Sequence, residues 1–236
     1  AKFPNKVIWK LAQKVSEVVA SGRVVRVEDD LGSKLTATYD GKRLYGMQFR
    51  AGDPPGRCHF PWGRCGVFNG DGNADGEIYL SCVQGVAGML SEPMRWKVKD
   101  SWVVEVDGGG EVGEECRRLF EEVPGSNRLI EIMFGYHPKA SIAHGIDDPM
   151  HWELISKMPW AGLGTERKHP NFRHMDGSVM NARLYIDDRL IVDKYGMLDR
   201  SLLHHPEVLD VASQFGDPYQ VLAPVSHEAH GSNTLW

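Results

Sequence analysis

No C-x-x-C pair occurs among the four cysteines, Cys58, Cys65, Cys82 and Cys116, which argues against a zinc knuckle. Free thiols in a cytoplasmic protein are the expectation. No apolar run approaches the ~18 residues of a membrane span, and no signal peptide is visible. There is no basic excess: 27 Lys and Arg stand against 32 Asp and Glu, a formal charge of −5. That argues against a nucleic-acid binder, which would show a basic patch and a high pI. Gly108-Gly109-Gly110 lacks the G-x-G-x-x-G spacing of a dinucleotide site and reads as a turn. Internal repeats and low-complexity tracts are missing. So is an initiator Met: the chain begins Ala1-Lys2-Phe3-Pro4, as expected of a processed product or a fragment.

What is present is a chain of 236 residues, enough to bury a substantial core without staples. Val7, Ile8, Leu11, Ala12, Val15, Val18 and Val19 recur at helical spacing. Asn5 is the expected N-cap and Ser21-Gly22 the stop. Arg23–Asp29 and Leu35–Tyr39 alternate as strands, and Arg43–Phe49 reads as a third, making residues 1–50 a helix plus β-meander. Residues 51–75 crowd Gly, Pro, Asn and Asp around Cys58-His59-Phe60-Pro61-Trp62 and read as an ordered loop. Gly76–Val83, Val98–Val106 and Arg128–Phe134 read as strands, with a helix over Glu111–Glu122. Further helices are expected over Asp147–Lys157 and Pro206–Phe215. Ala182–Asp193 reads as a hairpin turning at Asp187-Asp188. The expected class is α/β (α+β), with mixed, largely antiparallel sheets and flanking helices.

Most of the ten histidines fall after residue 136. The most specific pattern is His174-Met175-Asp176. On extended backbone the two outer residues share a face, and an imidazole beside a carboxylate can share a metal. Glu131 interrupts Leu129-Ile130-Glu131-Ile132-Met133-Phe134. Alternation permits it to face solvent. If buried, it needs a cation, because an unpaired buried carboxylate costs several kcal/mol. His137 follows the end of the same strand, with His144 behind it, and Glu77 opens a strand after the Gly-rich loop. Two ligand sets can be assembled. His137, His174 and Asp176 make a facial triad of the kind that leaves positions open on Fe(II). Glu77, Glu131, His174 and Asp176 would hold two metals.

Three segments in order resemble the thermophilic metalloaminopeptidases of the aminopeptidase T and S type. They are Gly76-Glu77-Ile78-Tyr79, the run from Ile130 to Ala140, and His174-Met175-Asp176-Gly177 with the hairpin behind it. Val24-Arg26-Val27 and Gly32–Thr36 are similar to that family's early strand pair. The resemblance implies one metal-binding catalytic domain over residues 1–236, with its metal-site core in 76–200. It also carries the expectation that the family's N-terminal domain is absent from this chain. It implies metal-ligand positions at Glu77, Glu131, His174 and Asp176. Trp160 stands where a further ligand histidine is expected, and His137 is introduced nearby. The same fold family includes 2,5-dihydroxypyridine 5,6-dioxygenases, which act with one Fe(II). The leading expectation is therefore an Fe(II)-dependent ring-cleaving dioxygenase acting on a hydroxylated N-heteroaromatic. Metal ligands would be His137, His174 and Asp176, and acid/base groups Glu77 and Glu131. His59, Tyr136, Trp160 and Arg173 would line the substrate pocket. Partners expected from this are a small aromatic substrate, O₂ and a second copy of the chain. The alternatives are an aminopeptidase with two Zn, Co or Mn ions, and a catalytically inert relative.

Overall fold

A computed structural model describes residues 3–41, 58–59, 63–70, 72–83, 90–140, 159–164 and 174–224, with backbone alone at 58, 59 and 160. Helix α1 (Asn5–Ser21) buries Val7, Ile8, Leu11, Ala12, Val15 and Val19, the stripe that the spacing predicts. Pro4 rather than Asn5 occupies the N-cap, and Asn5 is the first helical residue. Gly22 ends the helix on extended backbone. Glycine is needed there for space, because a Cβ would lie 2.3 Å from both Ile186 and the Tyr39 hydroxyl.

Strands β1 (Val24–Glu28) and β2 (Lys34–Thr38) follow, each alternating buried and open positions. The expected strand at 43–49 lies outside the described residues. The segment read as a loop contains β3 (Cys58–His59) and β4 (Arg64–Phe68). Nearly all of β4 is buried, so it has no alternation to read. Next come β5 (Ala74–Leu80) and β6 (Cys82–Val83).

The sequence suggested one strand over Val98–Val106. The structure has two, β7 (Met94–Lys99) and β8 (Trp102–Gly108). Asp100 and Ser101 turn between them at φ of 51° and 65°. These left-handed residues are held from outside the hairpin. Asp75 accepts from the Asp100 N–H, and Ser101 Oγ accepts from the Ala74 N–H.

Helix α2 (Gly110–Glu122), β9 (Leu129–Gly135), β10 (Trp160–Gly164) and β11 (His174–Ser178) come next. The hairpin β12 (Arg183–Ile186) and β13 (Arg189–Val192) turns at Asp187 as expected. Three short helices close the described chain: α3 (Arg200–Leu203), α4 (Pro206–Ser213) and α5 (Pro218–Leu222). The expected helix at 147–157 lies outside the described residues.

The strands form two sheets, one of seven in the order β13-β12-β1-β2-β5-β7-β8 and one of six in the order β3-β4-β9-β10-β11-β6. Every pairing among them is antiparallel. The architecture is the expected α+β arrangement. One apolar cluster runs from α1 through both sheets, with Trp96, Tyr136, Phe68 and Phe134 among its fully buried side chains. Cys65, Cys82 and Cys116 are buried. Burial pushes the Cys82 and Cys116 thiols up to about 12. No helix among the described residues is long and apolar enough to cross a membrane.

Candidate metal centre

Three neighbouring strands of the six-stranded sheet build the site. Gly162, at the middle of β10, is paired with Glu131 on β9 and with Asp176 on β11. Residues directly opposed across antiparallel strands point to the same face, so Glu131 and Asp176 flank Gly162 on one side of the sheet. His174 lies two residues before Asp176 and shares that face by alternation. His174 Nε2 stands 2.9 Å from Asp176 Oδ2 and 3.8 Å from Glu131 Oε2. One ligand atom from each of the three residues lies within 4.8 Å of the others.

The Asp176 side chain is 5 % exposed, against 23 % for Glu131 and 27 % for His174. One carboxylate is thus sunk in the sheet, while the imidazole and the other carboxylate reach solvent. Asp176 Oδ1 is buried and has no hydrogen-bond partner among the described residues. A buried carboxylate oxygen without a donor carries a desolvation cost of about 1–3 kcal/mol or more. A cation beside it removes that cost. One nitrogen and two carboxylate donors suit a divalent first-row metal. The residues present therefore fit a metal ion, held by His174 Nε2 and the carboxylates of Asp176 and Glu131.

The other expected site residues lie elsewhere. Glu77 is on β5, in the seven-stranded sheet, where Arg95 donates to it at 3.2 Å and also bonds Glu105 and Asp107. Its neighbours Ile78 and Leu80 are buried in the core, and alternation turns Glu77 to the opposite face. The four-residue set for two metals is therefore not assembled among the described residues. His137 also stands apart from the triad. Its Nδ1 accepts the Lys139 N–H at 3.1 Å, and its ring packs on Phe3 with centroids 4.9 Å apart. It lies six residues beyond Glu131 on or past the same strand, roughly 20 Å along an extended chain. In the triad Glu131 takes the place expected of His137.

Tyr136 is 1 % exposed and belongs to the core rather than to an open pocket. Trp160 is on β10, paired with Met133 and Ser178, two residues from Gly162. His59 is on β3, opposite Arg64 at the sheet edge. Arg173 and His144 lie outside the described residues. A cavity of about 600 Å³ is lined by Leu190, Met197, Leu198, Leu203 and His204, among others, and shares no residue with the triad. Gly162 was the residue missed in the sequence. Its signal was a glycine inside a short apolar run, without a motif of its own.

No protein-family model matches the sequence, and no characterised protein matches it by sequence alone. Solved structures do match. The 2,5-dihydroxypyridine dioxygenase of Pseudomonas putida KT2440 superposes with a TM-score of 0.64 at 18 % identity, over 85 % of this chain and 64 % of that one. Wild-type AmpT of Thermus thermophilus superposes with a TM-score of 0.56 at 10 % identity, over 82 % of this chain and 54 % of that one. The chain thus spans somewhat over half the length of each. At these identities the likeness is one of fold, and a fold hosts many functions.

Proposed function

We propose that the chain is the catalytic domain of a mononuclear metal enzyme. On this reading it is an Fe(II)-dependent ring-cleaving dioxygenase for a hydroxylated N-heteroaromatic such as 2,5-dihydroxypyridine. One observation carries it: among the described residues Glu131, His174 and Asp176 converge around a buried, unpartnered carboxylate oxygen, while Glu77 is bound to Arg95 in the other sheet. Among those residues the arrangement offers one ligand set rather than two. The fold shared with a 2,5-dihydroxypyridine dioxygenase supports the choice of substrate.

Bound iron would supply Lewis acidity toward a ring hydroxyl and the electrons that make dioxygen reactive. The chain's own residues do the rest. Asp176, fixed in the sheet, sets the direction of approach. His174 Nε2 and Asp176 Oδ2, 2.9 Å apart, would turn to the ion as adjacent ligands and share the metal in place of a proton. Glu131 is the more accessible carboxylate, and with Oε2 toward the ion its other oxygen would take the proton that the ring hydroxyl gives up on binding.

The test is anaerobic loading with Fe(II), followed by O₂ uptake with 2,5-dihydroxypyridine. Hydrolysis of a leucine anilide with Zn²⁺ or Co²⁺ is measured in parallel. Uptake of O₂ matched to loss of the ring's absorbance is the expected result. Amide hydrolysis without O₂ uptake would replace the proposal with a two-metal aminopeptidase, whose metals sit about 3.5–4 Å apart.

A further inference from the structure

We infer that Gly162 is a positioning residue for Asp176: the missing side chain on β10 is what lets the buried carboxylate face the metal position. The inference rests on the metal-enzyme reading above. Gly162 is the middle member of the row Glu131–Gly162–Asp176 across three strands. A Cβ there would stand 2.4 Å from Asp176 Oδ1, 3.1 Å from Glu131 Cβ and 3.5 Å from Glu131 Oε2. The backbone does not ask for glycine, since Gly162 is not among the residues with positive φ. Space is the reason for it. The atom that claims the space, Asp176 Oδ1, is a buried oxygen without a hydrogen-bond partner among the described residues.

The overlap made by an alanine would be relieved where the surroundings yield most easily. Glu131 Cβ and the two flanking strands are fixed by the sheet, whereas the Asp176 carboxylate can rotate about its side-chain torsions. Rotation carries Oδ1 away from the metal position and disturbs the contact between Oδ2 and His174. Gly162→Ala therefore acts on the site more than on the fold. Gly177, the neighbour of Asp176 on β11, gives the contrast. A Cβ on Gly177 would meet Leu80 Cδ1 at 2.3 Å, in the core. Gly177→Ala strains packing on the opposite face and leaves the carboxylate in place.

The experiment titrates the wild-type chain, Gly162→Ala and Gly177→Ala anaerobically with Fe(II) and with Co(II), and melts each metal-free protein. Gly162→Ala is expected to bind about 10- to 100-fold more weakly and to alter the visible Co(II) spectrum, while melting near wild type. Gly177→Ala is expected to melt lower and to keep wild-type affinity and spectrum. Adding Gly162→Ala to Asp176→Ala is expected to change neither metal affinity nor melting any further. Equal affinity and an identical spectrum in wild type and Gly162→Ala would overturn the inference and leave the metal-enzyme reading standing. A wild-type protein that takes up no metal would sink both. Should Gly162→Ala alone fail to fold, the double variant decides: if Asp176→Ala restores folding the inference holds, and if it does not the inference falls.

Discussion

Asp176 is the residue whose burial makes least sense without a ligand. Its carboxylate is almost wholly enclosed, one oxygen is bonded to His174 and the other has no donor among the described residues. Removing it takes away a buried charge and the fixed member of the donor set. Asp176→Ala and His174→Ala should each reduce iron to background after anaerobic loading, measured by elemental analysis. Wild-type iron in both variants would place the site elsewhere. Glu77→Ala separates one metal from two. Tied to Arg95 on the other sheet, Glu77 should be dispensable, and its loss should leave metal content unchanged. A fall in bound metal would bring back the four-ligand set. The H-x-D pair was legible because two residues on one strand need only local alternation to meet. Glu131 stayed ambiguous, since a lone carboxylate in an apolar strand fits either face. His137 drew attention as the nearest histidine in sequence, but a strand extends too far per residue for nearness in sequence to mean nearness in space.

Two elements show how local chemistry fixes the frame around the site. The β12–β13 hairpin is anchored to β1 through Asp187, whose Oδ1 accepts the Arg23 and Val24 N–H groups while its own φ is 52°. Asp187→Ala removes both bonds and leaves a β-carbon in a left-handed conformation. A loss of about 1–2 kcal/mol is expected in denaturant unfolding, and Asp187→Asn should recover most of it. Helix α4 docks on α1 through Glu207, which bonds Lys14 and Lys10. Lys14 first, and Lys10 after it, hold the Glu207 carboxyl down at about 2, from an ordinary 4.5. A depressed folded-state value means that the pair stabilises the protein above pH 4.5 and that this contribution fades as pH falls toward 2. Glu207→Gln should flatten the fall in melting temperature across that window. A wild-type slope in the variant would show that the pair is worth nothing, as surface pairs sometimes are. The strands and helices themselves were largely legible from period and turn chemistry. The β7–β8 hairpin was not, because Asp100-Ser101 lacks the usual Asn-Gly signal. Its left-handed residues are held by Asp75 and Ala74, more than twenty residues earlier.

For the molecule as a whole, the class of fold could be read from the sequence but the order of strands could not. Strand β12 pairs with β1 across about 160 residues of chain, and β6 pairs with β11, and neither pairing leaves a local pattern. The triad exists only because β9, β10 and β11 lie side by side, so the donor set comes from long-range topology. A metal bound there would be tied to global stability. The site brings together residues from positions 131 to 176, a geometry that an unfolded chain does not keep, so a metal that binds the native state alone must stabilise it. At a free metal concentration 100 times Kd the gain is about 2.7 kcal/mol, or roughly 5–10 °C in Tm for a chain of this size. Anaerobic Fe(II) or Co(II) should raise the melting temperature by that amount in the wild type and leave Asp176→Ala unmoved. A chelator should return the wild type to its metal-free value. An equal rise in both proteins would mean that the metal binds outside the triad, and no rise in the wild type would mean that the row Glu131–Gly162–Asp176 holds no metal.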